Sequence, residues 1–406
     1  MDAPKLRYVE AFPLEHEGQR CVALRDPAGY TSSVDVLAPP LLEVVSLFDG
    51  EHSVADIQAA LMRRHGELVS RERIAEVAAS LDERGFLEGE RFATLKAEVD
   101  GEFLGAPVRA ASHAGGAYPG EADALREAMD GWFAPPAGSG PVEAGGDGAP
   151  ILRGAIAPHI DFHRGGPAYG WAYRDVAERC PADVFVIFGT CHAGMADPFA
   201  LTRKDYDTPL GAARVDRDFV EGLVARAGQD CFGSELAHRN EHSIEFQAVC
   251  LQYLFAGRRE IAIVPVLASF VHEALARGQR PEDDPRVPRF LEALGETIAA
   301  GGRRVALIAG ADLAHMGPRF GDPEPVSPAE LARIEREDRV MLAAVEAGDP
   351  HAFVESVAAD GDRRRICGLS PIYALLRALG PTKGALRRYG QWPDPQGVVT
   401  FASLVF

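Results

Sequence analysis

Residues 184–192 have the sequence VFVIFGTCH, and this stretch decides the fold prediction. Five apolar residues are followed at once by Gly189, Thr190, Cys191 and His192. A short run that is apolar at every residue is typical of a strand buried on both faces, as in a parallel sheet covered by helices. The stretch therefore predicts a central strand with a histidine just beyond its carboxyl end.

Similar apolar runs occur on both sides of this stretch and alternate with amphipathic segments. We predict strands at residues 151–157, 184–189, 261–267 and 305–309, and a strand pair or a final edge strand at residues 397–406. We predict helices at residues 122–132, 166–179, 216–227, 241–255, 328–347, 351–358 and 369–379. The Pro- and Gly-rich residues 134–149 predict a long surface loop. The alternation predicts an α/β fold with a mixed, partly parallel central sheet flanked by helices.

Three of the predicted strands are followed within a few residues by a histidine, namely His159, His192 or His315. Ligands of open α/β sheets bind at the carboxyl ends of the strands, so these histidines predict one shared site at that edge. Imidazole suits iron, zinc, copper and nickel, and two histidines with one anionic ligand leave coordination positions open. The candidates for that anionic ligand are Asp161, Asp312, Glu241, Glu245 and Cys367.

The first 95 residues differ from the rest and predict a separate small domain. Short apolar segments in residues 18–36 are compatible with small strands, and helices are predicted at 41–48, after Ser53 and from about Ser70. This order is typical of a winged-helix-like unit. The segments LFDGEHSVADIQAAL and VAASLDERGFLEG resemble the PqqD-like module, which recognises peptides in radical-enzyme maturation systems.

Two alternatives for this small domain stay open. A DNA-binding winged helix has the same pattern, but the predicted helix at residues 70–83 is mixed in charge rather than basic. A helical appendage that binds no ligand is the other alternative.

The acidic composition limits the classes of partner. The chain has 60 Asp and Glu against 42 Lys and Arg, a formal net charge of −18. Such a chain repels phosphate backbones and anionic lipid surfaces, so neither nucleic acid nor a membrane is expected as a partner. We expect a cytoplasmic protein, because the N-terminus lacks a signal-peptide pattern and no long apolar span occurs. The six scattered cysteines do not predict a disulfide framework.

Seven separated segments resemble one known family. They are, in chain order, VRAASHAGGAYPG, AIAPHIDFHRGG, FGTCHAG, EHSIEFQ, IVPVL, GADLAHMG and ICGLSPI. They follow the order and approximate spacing of Memo proteins, whose bacterial members are named AmmeMemoRadiSam system protein B. The resemblance covers residues 108–406 and leaves residues 96–107 as a linker. The Memo family is in turn similar to LigB-type class III extradiol dioxygenases, which hold Fe(II) with two histidines and a glutamate.

The resemblance implies roles for individual residues. Its metal ligands correspond to His159, His192 and the Cys367 of the ICG segment. The residues that it implies beside the metal, for which we predict catalytic or ligand-orienting roles, are His242, Asp312 and His315. The chain departs from the commoner APHAGY form of the second segment, since Asp161 and Phe162 stand where many members have Gly and Tyr.

Local expectations follow for some of these residues. Cys367 precedes a predicted helix start at Gly368, and a helix N-terminus lowers the pKa of a thiol. Asp312 and His315 are three residues apart and would share a face if their segment were helical. The alternative for that pair is a polar cap with a hydrogen-bonded core histidine. Asn240 is expected to cap the helix that starts near residue 241.

Two functions from different classes remain open, so enzymatic activity is not decided. The first is a mononuclear non-haem iron oxidoreductase that uses dioxygen on a small molecule or peptide, with Fe(II) as the expected metal and Cu or Zn as alternatives. The second is a non-catalytic metal- or peptide-binding protein that partners a radical SAM system, which the cysteine in place of a carboxylate favours. A peptide substrate would join the two if the first 95 residues recognise it.

Overall fold

The computed structural model describes most of the chain, with short gaps. The described residues are 2–16, 18–66, 69–143 and 150–406, so part of the predicted loop at 134–149 lies outside them. None of the helices in the described part of the chain is long and apolar enough to span a bilayer.

Apolar side chains form separate cores in two parts of the chain. A small core lies between Leu24 and Leu87 in sequence, and a large one between Tyr118 and Val405. The chain divides accordingly into two compact units, residues 1–105 and residues 106–406. Residues 96–105, which were assigned to the linker at 96–107, form the end of a helix in the first unit.

The first unit consists of a small antiparallel sheet followed by helices. Its strands, paired in this order, are β1 (Glu10–His16), β2 (Gln19–Arg25) and β3 (Val34–Leu37). Its helices are α1 (Pro39–Val45), α2 (Val54–His65), α3 (Arg71–Glu83) and α4 (Glu90–Gly105). Ser53 and Ser70 cap α2 and α3, because their hydroxyls accept the backbone N–H groups of Asp56 and Arg73. The winged-helix-like and PqqD-like assignments of this unit stay predictions.

The second unit alternates strands with helices. Its strands are β4 (Val108–Arg109), β5 (Gly154–Ala157), β6 (Val184–Thr190), β7 (Phe199–Leu201), β8 (Asp205–Tyr206), β9 (Ala262–Ala268), β10 (Val305–Gly310), β11 (Asp312–Met316), β12 (Ala385–Asp394) and β13 (Gly397–Val405). Its helices are α5 (Ala122–Phe133), α6 (Phe162–Arg179), α7 (Arg217–Ala227), α8 (His242–Phe255), α9 (Val271–Ala276), α10 (Arg286–Ala300), α11 (Pro328–Ala347), α12 (Pro350–Ala358) and α13 (Leu369–Leu379).

The central sheet has the strand order β11-β13-β5-β10-β6-β9-β7, and β12 pairs with β13. β5, β10, β6 and β9 are parallel to one another. β13 is antiparallel to β5, β11 and β12, and β7 is antiparallel to β9. The prediction of a mixed, partly parallel sheet flanked by helices is therefore confirmed.

The three parallel strands β5, β10 and β6 end at the same level. Gly310 of β10 pairs with Ala157 of β5 on one side and with Gly189 of β6 on the other. The residues that follow these strands therefore leave the sheet side by side at its carboxyl edge. This register brings the segment of His159 next to the segments that follow β6 and β10.

The first turn of α8 packs against this edge, and two glycines permit its close approach. A Cβ atom added at Gly189 would lie 2.5 Å from side-chain atoms of Ser243 and Ile244. A Cβ atom added at Gly310 would lie 2.5 Å from the backbone oxygen of Ser243. Because β-carbons do not approach other atoms so closely, glycine at both strand ends allows α8 to reach the edge.

Three segments differ from their prediction in ways that affect the site. α6 begins at Phe162, four residues before the expected start, and so includes Pro167. Residues Asp312–Met316 form strand β11, so the helical condition for a shared face of Asp312 and His315 is not met. Residues Gly397–Val405 form the one strand β13, which pairs with β12 and lies between β5 and β11 inside the sheet instead of at its edge.

Candidate metal centre

His159 is held at the end of β5 by the end of β10. It is 2% exposed, and its backbone N–H donates to Asp312 Oδ1 at 3.0 Å. Its Nδ1 lies 3.0 Å from the carbonyl oxygen of Gly310. Because a carbonyl oxygen only accepts hydrogen bonds, Nδ1 bears the hydrogen and the Nε2 lone pair is left for another partner. The register of the sheet thus sets both the orientation and the tautomer of this ring.

Glu241 holds His192 in the same way from α8. Its carboxylate accepts the backbone N–H of His192 at 2.9 Å and lies 3.0 Å from Nδ1 of the same residue. It also caps α8, because it accepts the backbone N–H of Ser243 at 2.9 Å, so the expectation that Asn240 caps this helix is wrong. Glu241 is buried, whereas the His192 side chain is 38% exposed at the rim of the site.

His242, the first residue of α8, completes a group of three imidazoles. Its ring stacks on that of His192 with centroids 4.7 Å apart and meets the ring of His159 edge-on at 5.2 Å. Its Nδ1 lies 3.4 Å from Glu241. One ring nitrogen from each of the three histidines lies within 4.8 Å of the other two, which is a spacing that can hold a metal ion. His242 thus lies among the predicted ligands.

Cys367 brings a thiol to His159, although it is not one of the three residues whose donor atoms form that compact group. Its Sγ lies 3.2 Å from Nε2 of His159, the nitrogen that Gly310 leaves available. The backbone N–H of Cys367 donates to Leu313 of β11, and its carbonyl oxygen accepts from the Thr190 hydroxyl at the end of β6. The cysteine is therefore positioned through its backbone by the two neighbouring strands.

Asp312 and His315 lie on β11 beside this group. Asp312 is 2% exposed, and its Oδ2 lies 3.7 Å from Nε2 of His159. His315 is half-buried, with Nδ1 3.1 Å from the carbonyl oxygen of Leu313 and its ring edge-on to Phe320. Residues three apart in a regular strand point to opposite faces, but the pairing of β11 with β13 shifts register between Asp312 and His315. A bulge of this kind changes the alternation of side chains between the two faces of the strand. The side chains of Asp312 and His315 can therefore both lie near His159.

Burial keeps most of these imidazoles neutral. It lowers the pKa of His159 to about 3 and that of His315 to about 4, and it lowers the pKa of His242 well below its usual value. His192 differs, since the Glu241 carboxylate outweighs burial and raises its pKa. Neutral imidazole is the form that binds metal ions, so the buried rings are in the binding form near neutral pH.

Burial raises the pKa of acidic groups, whereas it lowers the pKa of imidazoles. Burial raises the pKa of Asp312 to about 6. Burial, followed by the charge of Asp312, raises the pKa of the Cys367 thiol well above its usual value. The expectation that the start of α13 favours a thiolate is therefore wrong for the metal-free site, because desolvation exceeds the effect of the helix end. A bound cation would reverse this balance, since a coordinated thiol loses its proton.

Two of the candidate anionic ligands have other partners. Asp161 forms an ion pair with Arg164 at 2.6 Å. The next residue, Phe162, is not a candidate ligand and packs on the ring of Trp132 at a centroid distance of 4.5 Å. Glu245 pairs with the buried Arg109. The departures from the commoner family pattern thus form an ion pair and an apolar contact beside His159.

The donor set fits a first-row transition metal ion. It consists of three imidazoles and a thiol, with the Asp312 carboxylate at the side. Calcium and magnesium prefer sites made only of oxygen, whereas nitrogen and sulfur ligands suit iron, copper and zinc. Reasoning from the sequence did not find that Glu241 orients two imidazoles. The sequence signal that could have indicated this role is that Glu241 directly precedes His242, since buried carboxylates commonly orient metal-binding histidines.

Comparisons with known proteins agree with the sequence motifs. A family model described as "Memo-like protein" matches residues 109–405. A MEMO1 family protein of Aquifex aeolicus is 30% identical over 99% of this chain and 99% of its own length. MEMO1 family proteins of Methanopyrus kandleri and Thermus thermophilus are 28% and 29% identical over 73% and 82% of this chain, and over 98% and 91% of their own lengths. The Aquifex match includes the first unit, whereas the family model covers the second.

Proposed function

This chain belongs to the Memo family, and from that premise we propose that its second unit binds one Fe(II) ion through His159, His192 and Cys367. We propose further that the iron serves an oxidoreductase in which dioxygen oxidises a small molecule or a peptide. Copper and zinc are the alternative metals, because the same donors suit them.

The observation that supports this proposal most is the convergence of donor atoms at the carboxyl edge of the sheet. Nε2 of His159 is 3.2 Å from the Cys367 sulfur and belongs to the group of ring nitrogens within 4.8 Å of one another. Ligand atoms at about 2.0–2.3 Å from one ion lie roughly 3–4 Å apart, so small side-chain movements would bring these atoms to one ion. The buried acceptors on Nδ1 already select the binding tautomers of His159 and His192.

The remaining residues of the site orient ligands and move protons. When bound, an Fe(II) ion supplies redox chemistry with dioxygen and leaves positions open for substrate. Glu241 keeps the rings of His192 and His242 in place through their Nδ1 atoms. His315 donates Nδ1–H to Leu313, so its Nε2 is the atom that accepts a proton from substrate. Asp312 holds the backbone of His159, and its charge favours the protonated form of His315.

Metal content of anaerobically purified protein tests the binding step. The wild-type protein should contain stoichiometric iron by elemental analysis, and its nitric oxide complex should show the paramagnetic signal of an open-site Fe(II). His159→Ala and Cys367→Ser should each lose most of the metal, because each removes a ligand. His163→Ala is the matched control, since this exposed histidine lies four residues from His159 and should leave metal content unchanged.

The outcomes separate the parts of this proposal. A wild-type protein without stoichiometric metal would overturn it, and stoichiometric copper or zinc would correct the metal. Unchanged metal content in Cys367→Ser would remove the cysteine from the ligand set. Sustained oxygen consumption with candidate substrates, absent in His159→Ala, would exclude the non-catalytic alternative, in which the chain binds metal beside a radical SAM partner.

A groove on the first unit favours a peptide as substrate or ligand. It has a volume of about 270 Å³, and its lining is mainly apolar and includes Leu41, Val44, Val69, Ile74 and Val77. Within the described residues β3 pairs with β2 alone, so its other edge can accept an extended peptide by strand addition. Deleting residues 1–105 should abolish binding of an extended apolar peptide library and leave metal content intact. Unchanged peptide binding would remove this part of the proposal.

A further inference from the structure

A buried ionic cluster beside His242 takes no part in the proposed metal binding. At its centre is Glu245 of α8, whose side chain and that of its partner Arg109 are fully buried. The Glu245 carboxylate also accepts the hydroxyl of Tyr118, the Ser112 hydroxyl at 3.1 Å and the backbone N–H of His113 at 3.0 Å. Residues 109–118 are thus held against the helix that begins with His242.

The His113 side chain is oriented by the same carboxylate. Its Nδ1 lies 2.9 Å from Oε2 of Glu245. Burial raises the pKa of Glu245, but Arg109 and the His113 hydrogen bond lower it to about 2, so the group is an ionised carboxylate that only accepts. Nδ1 of His113 therefore bears the hydrogen, and the lone pair is on Nε2. This is the arrangement in which a carboxylate fixes the tautomer of a functional imidazole.

The position of His113 places its ring next to the metal centre. Its ring centroid is 5.6 Å from that of His242, which in turn stacks on His192. The side chain is 26% exposed. In the part of the chain that the structure describes, no hydrogen-bond partner of Nε2 is found. His113 therefore lies one ring beyond the three-histidine group, with an acceptor atom that solvent or a ligand can reach.

A purely structural role does not account for this ring. Oε2 of Glu245 receives donors from Arg109, Ser112 and His113, although a carboxylate oxygen has about two lone-pair sites. The imidazole is therefore not needed to satisfy Glu245 or to neutralise it. What the contact does provide is a fixed ring with a presented Nε2.

We propose that His113 is a substrate-contacting residue, whose Nε2 accepts a hydrogen bond from a hydroxyl group of a small substrate at the metal centre. The inference rests on the proposed function, since the metal ion holds the substrate within reach of this ring. It assigns the substrate class as a small molecule that keeps at least one O–H donor free after binding the metal. The interaction adds specificity, because a bound substrate without that donor shields Nε2 from water and leaves it unpaired.

Catechol and 2-methoxyphenol are the probes, because the second replaces one O–H donor by a methyl ether. Both are titrated anaerobically, by calorimetry, into Fe(II)-loaded full-length protein after its iron content has been measured. The wild-type protein should prefer catechol, and His113→Phe, which keeps a ring but has no acceptor, should reduce that preference about fivefold to tenfold. His113→Gln retains an amide oxygen as acceptor and should keep part of the preference. His163→Phe is the control and should bind both probes as the wild type does.

Each result decides for or against the proposal. Equal loss of both probes in His113→Phe, or no loss of either, would overturn it, because neither outcome depends on the donor hydroxyl. A fully loaded wild-type protein that binds no catechol would overturn it as well and leave the metal site standing. A wild-type protein without metal would instead refute the proposed function, and with it this inference. Iron content and thermal unfolding of each variant show that lost binding does not reflect misfolding.

Discussion

The two sides of the metal centre hold their donor atoms by different means. The imidazole side consists of His159, His192 and His242. On this side, buried acceptors bind the Nδ1 atoms, since Gly310 provides a carbonyl oxygen and Glu241 a carboxylate. Each ring is thus oriented by one or two individual atoms close to it.

On the thiol side, residues 362–367, the donor atom contacts another proposed ligand: the Cys367 sulfur lies 3.2 Å from Nε2 of His159. Cys367 is held through its backbone, and the loop before it contains left-handed backbone at Asp362 and Arg365, each with a φ of 51°. Such conformations cost on the order of 1 kcal/mol each in residues other than glycine and persist only where the surroundings enforce them. The backbone of this loop therefore positions the sulfur, and the contact of the sulfur with Nε2 of His159 joins it to another proposed ligand.

A buried network on α11 supports this loop. Asp338 accepts hydrogen bonds from Arg364 and from the Thr400 hydroxyl. The Arg364 carbonyl and the Thr400 hydroxyl in turn accept the backbone N–H groups of His315 and Ala314. Apart from the ligands themselves, changes to the groups that support the thiol side should therefore act mainly on stability, whereas changes to the groups that orient the imidazoles should act mainly on metal affinity.

Asp338→Ala should produce the largest effect. It removes the closest carboxylate from the buried Arg364 guanidinium and leaves the longer contacts with Glu337 and Asp360 at 3.6 and 3.5 Å. The loss should therefore lie toward the lower end of the range of about 3–5 kcal/mol of unfolding free energy that breaking a buried ion pair costs. Denaturant unfolding of the metal-free protein measures this loss. Glu335→Ala is the control on the same helix, because its ion pair with Arg339 is exposed and should contribute less than about 0.5 kcal/mol. A loss of unfolding free energy below about 1 kcal/mol for Asp338→Ala would contradict the conclusion that this network stabilises the thiol side.

Glu241→Gln should act chiefly on the metal. It weakens the hold on two imidazoles, and loss of such an orienting carboxylate lowers metal affinity about 10–100-fold. Competition with a chromogenic chelator measures the affinity. Ser327→Ala removes the cap of α11 without touching the site, so it should lose about 1 kcal/mol of stability and keep its affinity. Equal affinities in Glu241→Gln and the wild type would show that the imidazoles are oriented by something else.

Gly189→Ala should produce the smallest effect, and it tests how α8 reaches the edge of the sheet. The new Cβ would meet Ile244 and the Ser243 hydroxyl, side-chain atoms that can move, so we expect a cost of about 1 kcal/mol, the low end for overpacking. The metal affinity should fall together with the stability, because α8 holds Glu241 and His242. Gly295→Ala is the matched control: it lies inside α10 with open space at its Cβ and should gain up to about 1 kcal/mol. Thermal unfolding that ranks the two variants in the opposite order would contradict this packing.

Much of the fold could be predicted from the sequence, because its signals are local. The apolar runs at β5, β6, β9 and β10 and the helices between them have periods that are visible without knowledge of their neighbours. α6 begins four residues before its predicted start and includes Pro167, a residue that local propensity disfavours in the interior of a helix. β11 was not predicted as a strand, because its pairing with β13 joins segments far apart in the chain.

The candidate site also combines features that follow from local sequence signals with features that depend on long-range contacts. The placement of His159 and His192 directly after buried strands follows from the sequence by itself, since a strand pattern also marks where the strand ends. The contact of Cys367 with His159 joins residues 208 positions apart, and it depends on Leu313 of β11 and Thr190 of β6, which hold the Cys367 backbone at this edge. The raised pKa of the thiol and the two roles of Glu241 likewise appear only in the folded chain. The physical reason is that hydrophobic periodicity specifies which segments are buried, whereas strand register and helix packing decide which polar atoms meet.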